Sequence, residues 1–486
     1  MLSRVFRVHF VGIGGIGMSG IAEVLLVQGW PVSGSDTRPS PITSRLMEMG
    51  ARIVIGHAAA NLCDAEVVVT SSAVAADNPE VVAARERQIP VIPRAEMLAE
   101  LMRLKFGIAV AGMHGKTTTT SMIATVLAGV GLDPTVIVGG RLDSIGSNAK
   151  LGTTQYLVAE ADESDRSFLQ LSPIVAVITN LDREHLDCYS GLGDIQDAFV
   201  AFANRVPFYG TVLVGAEDDA TRAILPRLRR RTLVYGTSDD ADLHVAATEF
   251  DGGDSRFRLT CSAAGCHLLG TRARADLGTF MVPRPGLHSV LDATAAIAVG
   301  LLLGGELEAV RAAIGNFRGV DRRFQIRGRV GDEASGITVV DDYGHHPTEL
   351  AATLAAARQY QAKSKGRVLM LFQPHRYTRT FHLMEEFAAT LARADQAWLL
   401  DIYSAGEPPI EGIHSSRLAQ RANEQHGGNV AYLPDAEAAI AAIAAAARPG
   451  DLILTQGAGS VSGLGEKLLQ ALTVGHAASA LQTSSL

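Results

Sequence analysis

The residues most able to do chemistry stand in one run, Gly112-Met-His-Gly115-Lys116-Thr117-Thr118-Thr119-Thr120. Two glycines let a backbone wrap closely around phosphate oxygens, a lysine reaches the terminal phosphates, and a threonine hydroxyl takes a hard cation such as Mg2+ (or Mn2+). The spacing is shorter than G-x-x-x-x-G-K-[ST], because Val110 stands where the first glycine of that pattern would fall. A second run, Gly12-Ile-Gly14-Gly15-Ile-Gly17, has the form G-x-G-x-x-G, and Asp36 follows 19 residues after Gly17. That pattern sets a pyrophosphate at a helix N-terminus and a ribose hydroxyl on the carboxylate; NAD and a UDP-sugar satisfy it equally. Two further stretches carry acids and imidazole: Glu160, Asp162, Glu163 and Asp165 in EADESD, and Asn180, Asp182, Glu184, His185 and Asp187 in TNLDREHLD. Glu160 and His185 are the metal-ligand candidates, since each follows a buried apolar strand; Asp162, Asp165 and Asp182 read as a solvated acidic loop.

These residues need a scaffold. Ile108 to Ala111 is an apolar run of buried-strand type, and Met122, Ile123, Val126, Leu127 and Val130 recur at helical spacing before Gly131 and Pro134. The order is strand, glycine turn, helix, with unpaired helix N–H groups facing the turn and a dipole that favours an anion. The first glycine run repeats this plan after a strand at 5–11. Short strands follow at 52–55, 66–70 and 89–92, then a helix at 95–105. His57, Ser71 and Ser72 fall at strand carboxyl ends, where open α/β sheets bind ligands. Strands at 156–159 and 174–179 end in the acidic stretches; if they neighbour the phosphate-loop strand, those groups meet a triphosphate. Residues 205–280 read as a mostly β excursion, and 283–305 as turn then helix with His288 at its start. Strands at 336–344, 366–375, 396–406 and 450–459 alternate with helices, one of them opening at the N-cap Asp435.

The pattern predicts an α/β protein of three domains. A Rossmann-like N-terminal domain spans 1–104, a central P-loop-type ATPase domain with a mostly parallel sheet spans 105–322, and a C-terminal α/β domain spans 323–486, with a disordered tail from about 476. The length of 486 residues agrees with three domains, and 47% hydrophobic with 19% charged residues suits a compact enzyme. A net charge of −8 disfavours nonspecific nucleic-acid binding. No apolar run approaches about 18 residues, so no membrane insertion is expected. The N-terminus runs straight into a strand and glycine turn without a signal-type segment. Four scattered cysteines, with one C-x4-C and no second pair, point to a reduced, cytoplasmic protein without zinc.

VGIGGIGMSGIA, AGMHGKTTTT, EADESD, TNLDREHLD, DDYGHHPTE and FQPHRYTRT run in this order over nearly the whole chain, and together they resemble the Mur ligase family, whose nucleotide loop is G-x-x-G-K-T-T. The resemblance implies an ATP-dependent carboxylate–amine ligase working through an acyl phosphate. The last two motifs imply the substrates UDP-N-acetylmuramate, L-alanine and ATP, in a monomer or weak homodimer. It implies that Gly12, Gly14, Gly15, Gly17, Asp36, His57, Ser71 and Ser72 hold the UDP part. Gly112, Gly115, Lys116, Thr117, Thr118, His288, Arg323, Asp342 and Tyr343 would contact ATP, and Thr117, Glu160 and His185 would serve magnesium. His346, His375, Arg376 and Arg379 would line the amino-acid pocket. Lys116, Asn180, His185, Arg323 and His346 would take catalytic roles, Asn180 beside the acyl phosphate and His185 or His346 as base for the amine. Asp292 departs from the asparagine usual in HSVLDA, Arg166 from the small residue usual in EADESDxSF, and GAGSVS from GAGDI. The rival readings are an NAD-dependent oxidoreductase, an ATP-gated UDP-sugar-binding protein, and a ligase that attaches a preformed tripeptide to the same acceptor.

Overall fold

The computed structural model describes residues 5–71, 73–142, 147–271, 276–332, 336–362 and 364–483. Among these, the strands form three sheets. The first contains β1 (Val8–Val11), β2 (Val32–Asp36), β3 (Arg52–Ile55), β4 (Val67–Thr70) and β5 (Val91–Pro93), in the order β3-β2-β1-β4-β5 and parallel throughout. The order reverses between β1 and β4, which opens a crevice at their carboxyl ends. Every residue of the central strand β1 is buried, as expected for a strand covered on both faces.

The second sheet holds β6 (Phe106–Ala111), β7 (Thr135–Leu142), β8 (Ser147–Lys150), β9 (Tyr156–Glu160), β10 (Val175–Ile178), β11 (Thr211–Gly215), β12 (Arg231–Gly236), β13 (Leu243–Asp251), β14 (Asp254–Cys261) and β15 (Asp276–Val282). Its order is β15-β14-β13-β12-β11-β10-β6-β9-β7-β8. The phosphate-loop strand β6 therefore lies between β10 and β9, parallel to both, as the sequence expectation required. The third sheet runs β16-β17-β21-β18-β19-β20, from β16 (Gln325–Val330), β17 (Ile337–Asp342), β18 (Val368–Phe372), β19 (Gln396–Leu399), β20 (Val430–Tyr432) and β21 (Leu452–Gln456). Only the β16–β17 pair in it is antiparallel.

The chain divides into two compact units. One comprises residues 1–247, 257–280 and 291–320 and holds the first sheet; the other comprises 248–256, 281–290 and 321–486 and holds the third. Helix limits follow local chemistry. The helix Ala436–Ala446 opens with the Asp435 carboxylate accepting the Ala438 N–H at 2.7 Å, as its sequence predicts. The last helix spans Leu464–Thr483 and so continues past His476, where the sequence reading expected a disordered tail. Ala477, Ala478, Ala480 and Leu481 are strong helix formers and carry the helix on. No described helix is long and apolar enough to cross a membrane.

Candidate active site

At the first sheet, Gly12, Gly14, Gly15 and Gly17 lie in the turn after β1 and the start of the helix Ile16–Val27, Asp36 ends β2, His57 follows β3 and Ser71 follows β4. The structure thus gathers these candidates at one edge; Ser72 lies outside the described residues. Asp36 is already committed on one side, because its Oδ2 accepts the Gly14 N–H at 2.8 Å. That bond ties the end of β2 to the glycine turn.

At the second sheet, the loop after β6 closes on itself and on its neighbours. Lys116 opens the helix Lys116–Gly129. Its Nζ donates to the carbonyls of Gly112 at 2.8 Å and Met113 at 3.1 Å and to Glu163 Oε1 at 2.7 Å. Burial pulls the Lys116 pKa down, but the carboxylates of Glu163, Glu160 and Glu184 outweigh it, and the net shift is upward. The loop therefore carries a fixed positive charge at neutral pH. Thr117 Oγ1 donates to Glu160 Oε1 at 2.8 Å, while Thr118 is only partly covered. Strand register explains this pairing: Glu160, at the end of β9, stands opposite Val110, two residues before Gly112.

Asn180, two residues past β10, is a clamp on the loop. Its Oδ1 accepts the His114 N–H at 2.9 Å, its Nδ2 donates to the His114 carbonyl at 3.0 Å, and its own carbonyl accepts from Met113 N at 3.2 Å. His185 has a left-handed backbone, φ 53°, and its Nε2 lies 3.4 Å from Glu163 Oε1. Glu163 is thus shared between Lys116 and His185, a role the sequence reading did not assign. Of the acids read as solvated, Asp162 pairs with Arg94 at 2.9 Å, Asp165 accepts from Ser167 N at 2.9 Å, and Asp182 pairs with His114 Nε2 at 2.9 Å. Asp292 is buried and accepts from Thr119 Oγ1 at 2.8 Å.

In the second unit, Arg323, Tyr343, His375 and Arg379 meet along a chain of rings. The Arg323 guanidinium lies 5.0 Å from the Tyr343 ring centre, Tyr343 is 5.2 Å from His345, His345 5.5 Å from His375, and His375 stacks on Tyr403 at 5.5 Å. Arg379 Nη1 is 3.2 Å from His375 Nδ1. Arg376, φ 71°, caps the helix Tyr377–His382, and its Nη1 lies 3.6 Å from Glu407. His288 is the second residue of the helix Leu287–Leu302. Desolvation, aided by the Arg323 charge, pushes its pKa down to about 4. Asp342 is buried, and its carboxylate accepts from Phe324 N, Gly344 N, Thr353 Oγ1 and Gln456 Nε2 at 2.8–3.3 Å. Burial raises its pKa against these donors and Arg323. His346 is the N-cap of the helix Pro347–Tyr360, its Nδ1 accepting from Thr348 N at 3.3 Å.

A strand-end phosphate loop with a charged lysine and a Thr–Glu oxygen pair, in a chain that also carries a second glycine turn after a parallel strand and a separate unit with arginine and histidine near its strand ends, has the parts of a nucleotide-dependent enzyme. Residues 7–106 match the Mur ligase family catalytic domain, 110–300 the Mur ligase middle domain and 322–459 the Mur ligase glutamate ligase domain. The chain belongs to the Mur ligase family. It is 54% identical over 473 residues to a UDP-N-acetylmuramate–L-alanine ligase of Koribacter versatilis, covering 97% of this chain and 98% of the relative. It is 53% identical to the ligase of the same name from Solibacter usitatus, over 97% of this chain and 96% of that one. Among solved structures, it is similar to the UDP-N-acetylmuramate–alanine ligase of Thermotoga maritima, with TM-score 0.76, 28% identity and coverage of 96% and 98%. It is also similar to a murein peptide ligase of Psychrobacter arcticus, with TM-score 0.66, 25% identity and coverage of 96% and 99%.

Proposed function

We propose that this chain is an ATP-dependent acid–amino-acid ligase that joins L-alanine to the lactyl carboxylate of UDP-N-acetylmuramate in peptidoglycan precursor synthesis. The observation that carries this reading is the phosphate loop, which follows β6 between β9 and β10, is clamped by Asn180 at His114 and carries the charged Lys116, in a chain 54% identical to a ligase of that name. We divide the chain into a UDP-sugar domain, 1–104, an ATP domain, 105–322, and an amino-acid domain, 323–486, acting in the cytoplasm as a monomer or weak homodimer.

A carboxylate is a poor acyl donor at neutral pH. In this reading, a lactyl carboxylate oxygen attacks the γ-phosphorus of ATP and ADP departs, leaving an acyl phosphate. The amine of alanine then attacks the acyl carbon, and phosphate leaves from the tetrahedral intermediate. Gly112, Gly115 and Thr118 cradle the phosphates through their backbone, and Lys116 balances charge on the transferring group. Glu163 holds Lys116 in place before the nucleotide arrives. Thr117 Oγ1 and Glu160 Oε1, 2.8 Å apart, are hard oxygen donors that fit Mg2+; with His185 they would hold the ion, which supplies charge neutralisation at the phosphates. Asn180 fixes the loop that faces the acyl phosphate. His288, Arg323, Asp342 and Tyr343 serve ATP, and Asp342 also braces that segment through Phe324 N and Gly344 N. His346, His375, Arg376 and Arg379 serve alanine, an arginine fork matching its carboxylate. The amine must lose a proton to attack, and His185 and His346 are the bases within this set.

The test is phosphate release with ATP, Mg2+ and UDP-N-acetylmuramate across a panel of amino acids. Release that needs both acceptor and L-alanine, with the matching mass gain on the UDP-sugar, supports the reading. Release that needs a tripeptide instead, or none at all with the full set, overturns it.

A further inference from the structure

Glu80 is a carboxylate with no exposed surface, set at the first turn of the helix Pro79–Glu86. Isolated burial of such a charge is costly, yet this one is surrounded by donors from three separate segments. Oε2 accepts from Ser35 Oγ at 2.6 Å and lies 3.2 Å from His9 Nε2. Oε1 accepts from Asn61 Nδ2 at 2.5 Å and from the Ala58 N–H at 3.2 Å. These groups come from β1, the end of β2 and the loop after β3, so Glu80 ties together the strand ends that form the first glycine-turn site. Burial alone would raise its pKa, but the bonds from His9, Ser35 and Asn61 outweigh it and hold it at about 2.

The hydrogen-bond chain continues to His57. Ser35 has one hydroxyl hydrogen, and the ionised Glu80, an acceptor only, takes it. Ser35 Oγ can then only accept from His57 Nδ1, which stands 3.0 Å away. His57 Nδ1 also lies 3.7 Å from Glu80 Oε1. The hydrogen of the neutral ring is therefore on Nδ1, and Nε2 carries the lone pair. Nε2 makes no hydrogen bond among the described residues, and the side chain is 21% exposed. A ring held in this way accepts a hydrogen bond from a ligand.

We propose that Glu80 is a positioning residue that, through Ser35, fixes His57 as the Nδ1–H tautomer, so that Nε2 accepts a hydrogen bond from a donor on the uridine part of the substrate. The partner group is an imide N–H or a ribose hydroxyl, and not a phosphate oxygen, which has no hydrogen to give. This rests on the UDP-sugar reading of the first glycine turn.

Nitrogen-15 NMR of histidine-labelled wild-type protein at neutral pH tests the tautomer without any substitution. The expected result is a His57 ring with its hydrogen on Nδ1; a ring with its hydrogen on Nε2 overturns the proposal. Glu80→Gln places an amide N–H2 among donors and frees Ser35 to reorient. In the folded variant the His57 signal should lose its Nδ1–H character, and KM for UDP-N-acetylmuramate should rise about tenfold, with kcat and the KM for ATP nearly unchanged. An unchanged tautomer and KM in a folded variant overturn it. Calorimetry with UDP, N3-methyl-UDP, 2′-deoxy-UDP and 3′-deoxy-UDP, on wild type and His57→Ala, locates the donor. The analogue lacking it binds wild type more weakly but His57→Ala no worse than UDP does; if none of the analogues behaves so, the proposal fails. If wild type binds no uridine nucleotide, it is the functional reading that fails, while the tautomer result still stands on its own.

Discussion

The two glycine turns of this protein share a backbone plan and differ in what surrounds them. Each follows a buried parallel strand and opens a helix, so each offers unpaired N–H groups to an anion. At the first turn the neighbouring strand ends bring Asp36, bonded to Gly14, and a histidine held through Ser35 by a buried carboxylate. At the second they bring a half-buried lysine, a Thr–Glu oxygen pair and an asparagine clamp. The backbone supplies anion binding in both places. In the function proposed above, the side chains on adjacent strands decide whether the ligand is held as a nucleotide sugar or activated as a phosphoryl donor.

The largest effect should come from Lys116→Ala. Ligation should fall by roughly 10³-fold or more, since one charge that balances the transferring phosphoryl group is gone, while UDP-N-acetylmuramate affinity, measured by calorimetry, stays near wild type. Joint loss of both would mean that the two turns are not separate sites.

Alanine at the two leading glycines should sharpen the contrast. Gly112 has φ 139°, and a Cβ there would stand 2.0 Å from Thr179 Oγ1. Gly12 has φ 77°, but its Cβ would meet only Val74 at 3.9 Å. Gly112→Ala should cost about 3 kcal/mol, from backbone strain plus overpacking, and Gly12→Ala about 1 kcal/mol, from strain alone. Melting curves for the pair check this; equal losses would contradict the tighter packing assigned to the second turn.

The two regions should also fail at opposite ends of the pH scale. Glu80 has a lowered pKa, so the stability it contributes is present above its unfolded value of 4.5 and is lost as pH falls toward about 2. That difference corresponds to about 3 kcal/mol. Lys116 has a raised pKa, so its contribution is present below 10.5 and is lost as pH rises through a higher folded value. Methyl NMR signals of Ile13 and Met113 across the pH range follow each turn separately. Simultaneous loss of both at one extreme would refute the assignment.

Much of this was legible in the sequence, because glycine turns, helix periodicity and acidic strand ends are local signals. The meeting of Glu160 with Thr117 was legible only on the condition that the strands at 156–159 and 174–179 neighbour the phosphate-loop strand, and β6 does lie between β9 and β10. Glu80 was not legible. Its partners are up to 71 residues away, and only the register that sets His9 against Ser33, with the return of the helix Pro79–Glu86, brings them together. The same holds for Glu163, whose service to Lys116 and His185 depends on the path of the chain after β9. Asp342 stands as an ATP contact on the family resemblance alone, and the protein donors that the fold sets around its carboxylate, Phe324 N and Gly344 N among them, were not legible. The helical tail beyond His476 was missed because small residues were read as disorder rather than as helix formers.

A modest effect is predicted at Asp36. Its Oδ2 serves Gly14, so Asp36→Ala removes both a ligand oxygen and a turn contact. UDP-N-acetylmuramate should bind about tenfold more weakly, with the apparent affinity for ATP unchanged; calorimetry with each ligand checks it, and a shift in ATP affinity alone would reverse the assignment of the turns.

The central claim is that the lactyl carboxylate is activated as an acyl phosphate at the second turn before alanine attacks. Isotope transfer tests it most directly. UDP-N-acetylmuramate carrying ¹⁸O in both carboxylate oxygens is turned over with ATP, Mg2+ and L-alanine, and the released phosphate is analysed by mass. The account predicts one ¹⁸O in each phosphate, because the attacking oxygen leaves with phosphorus. Phosphate released with no label, while the amide still forms, would contradict it.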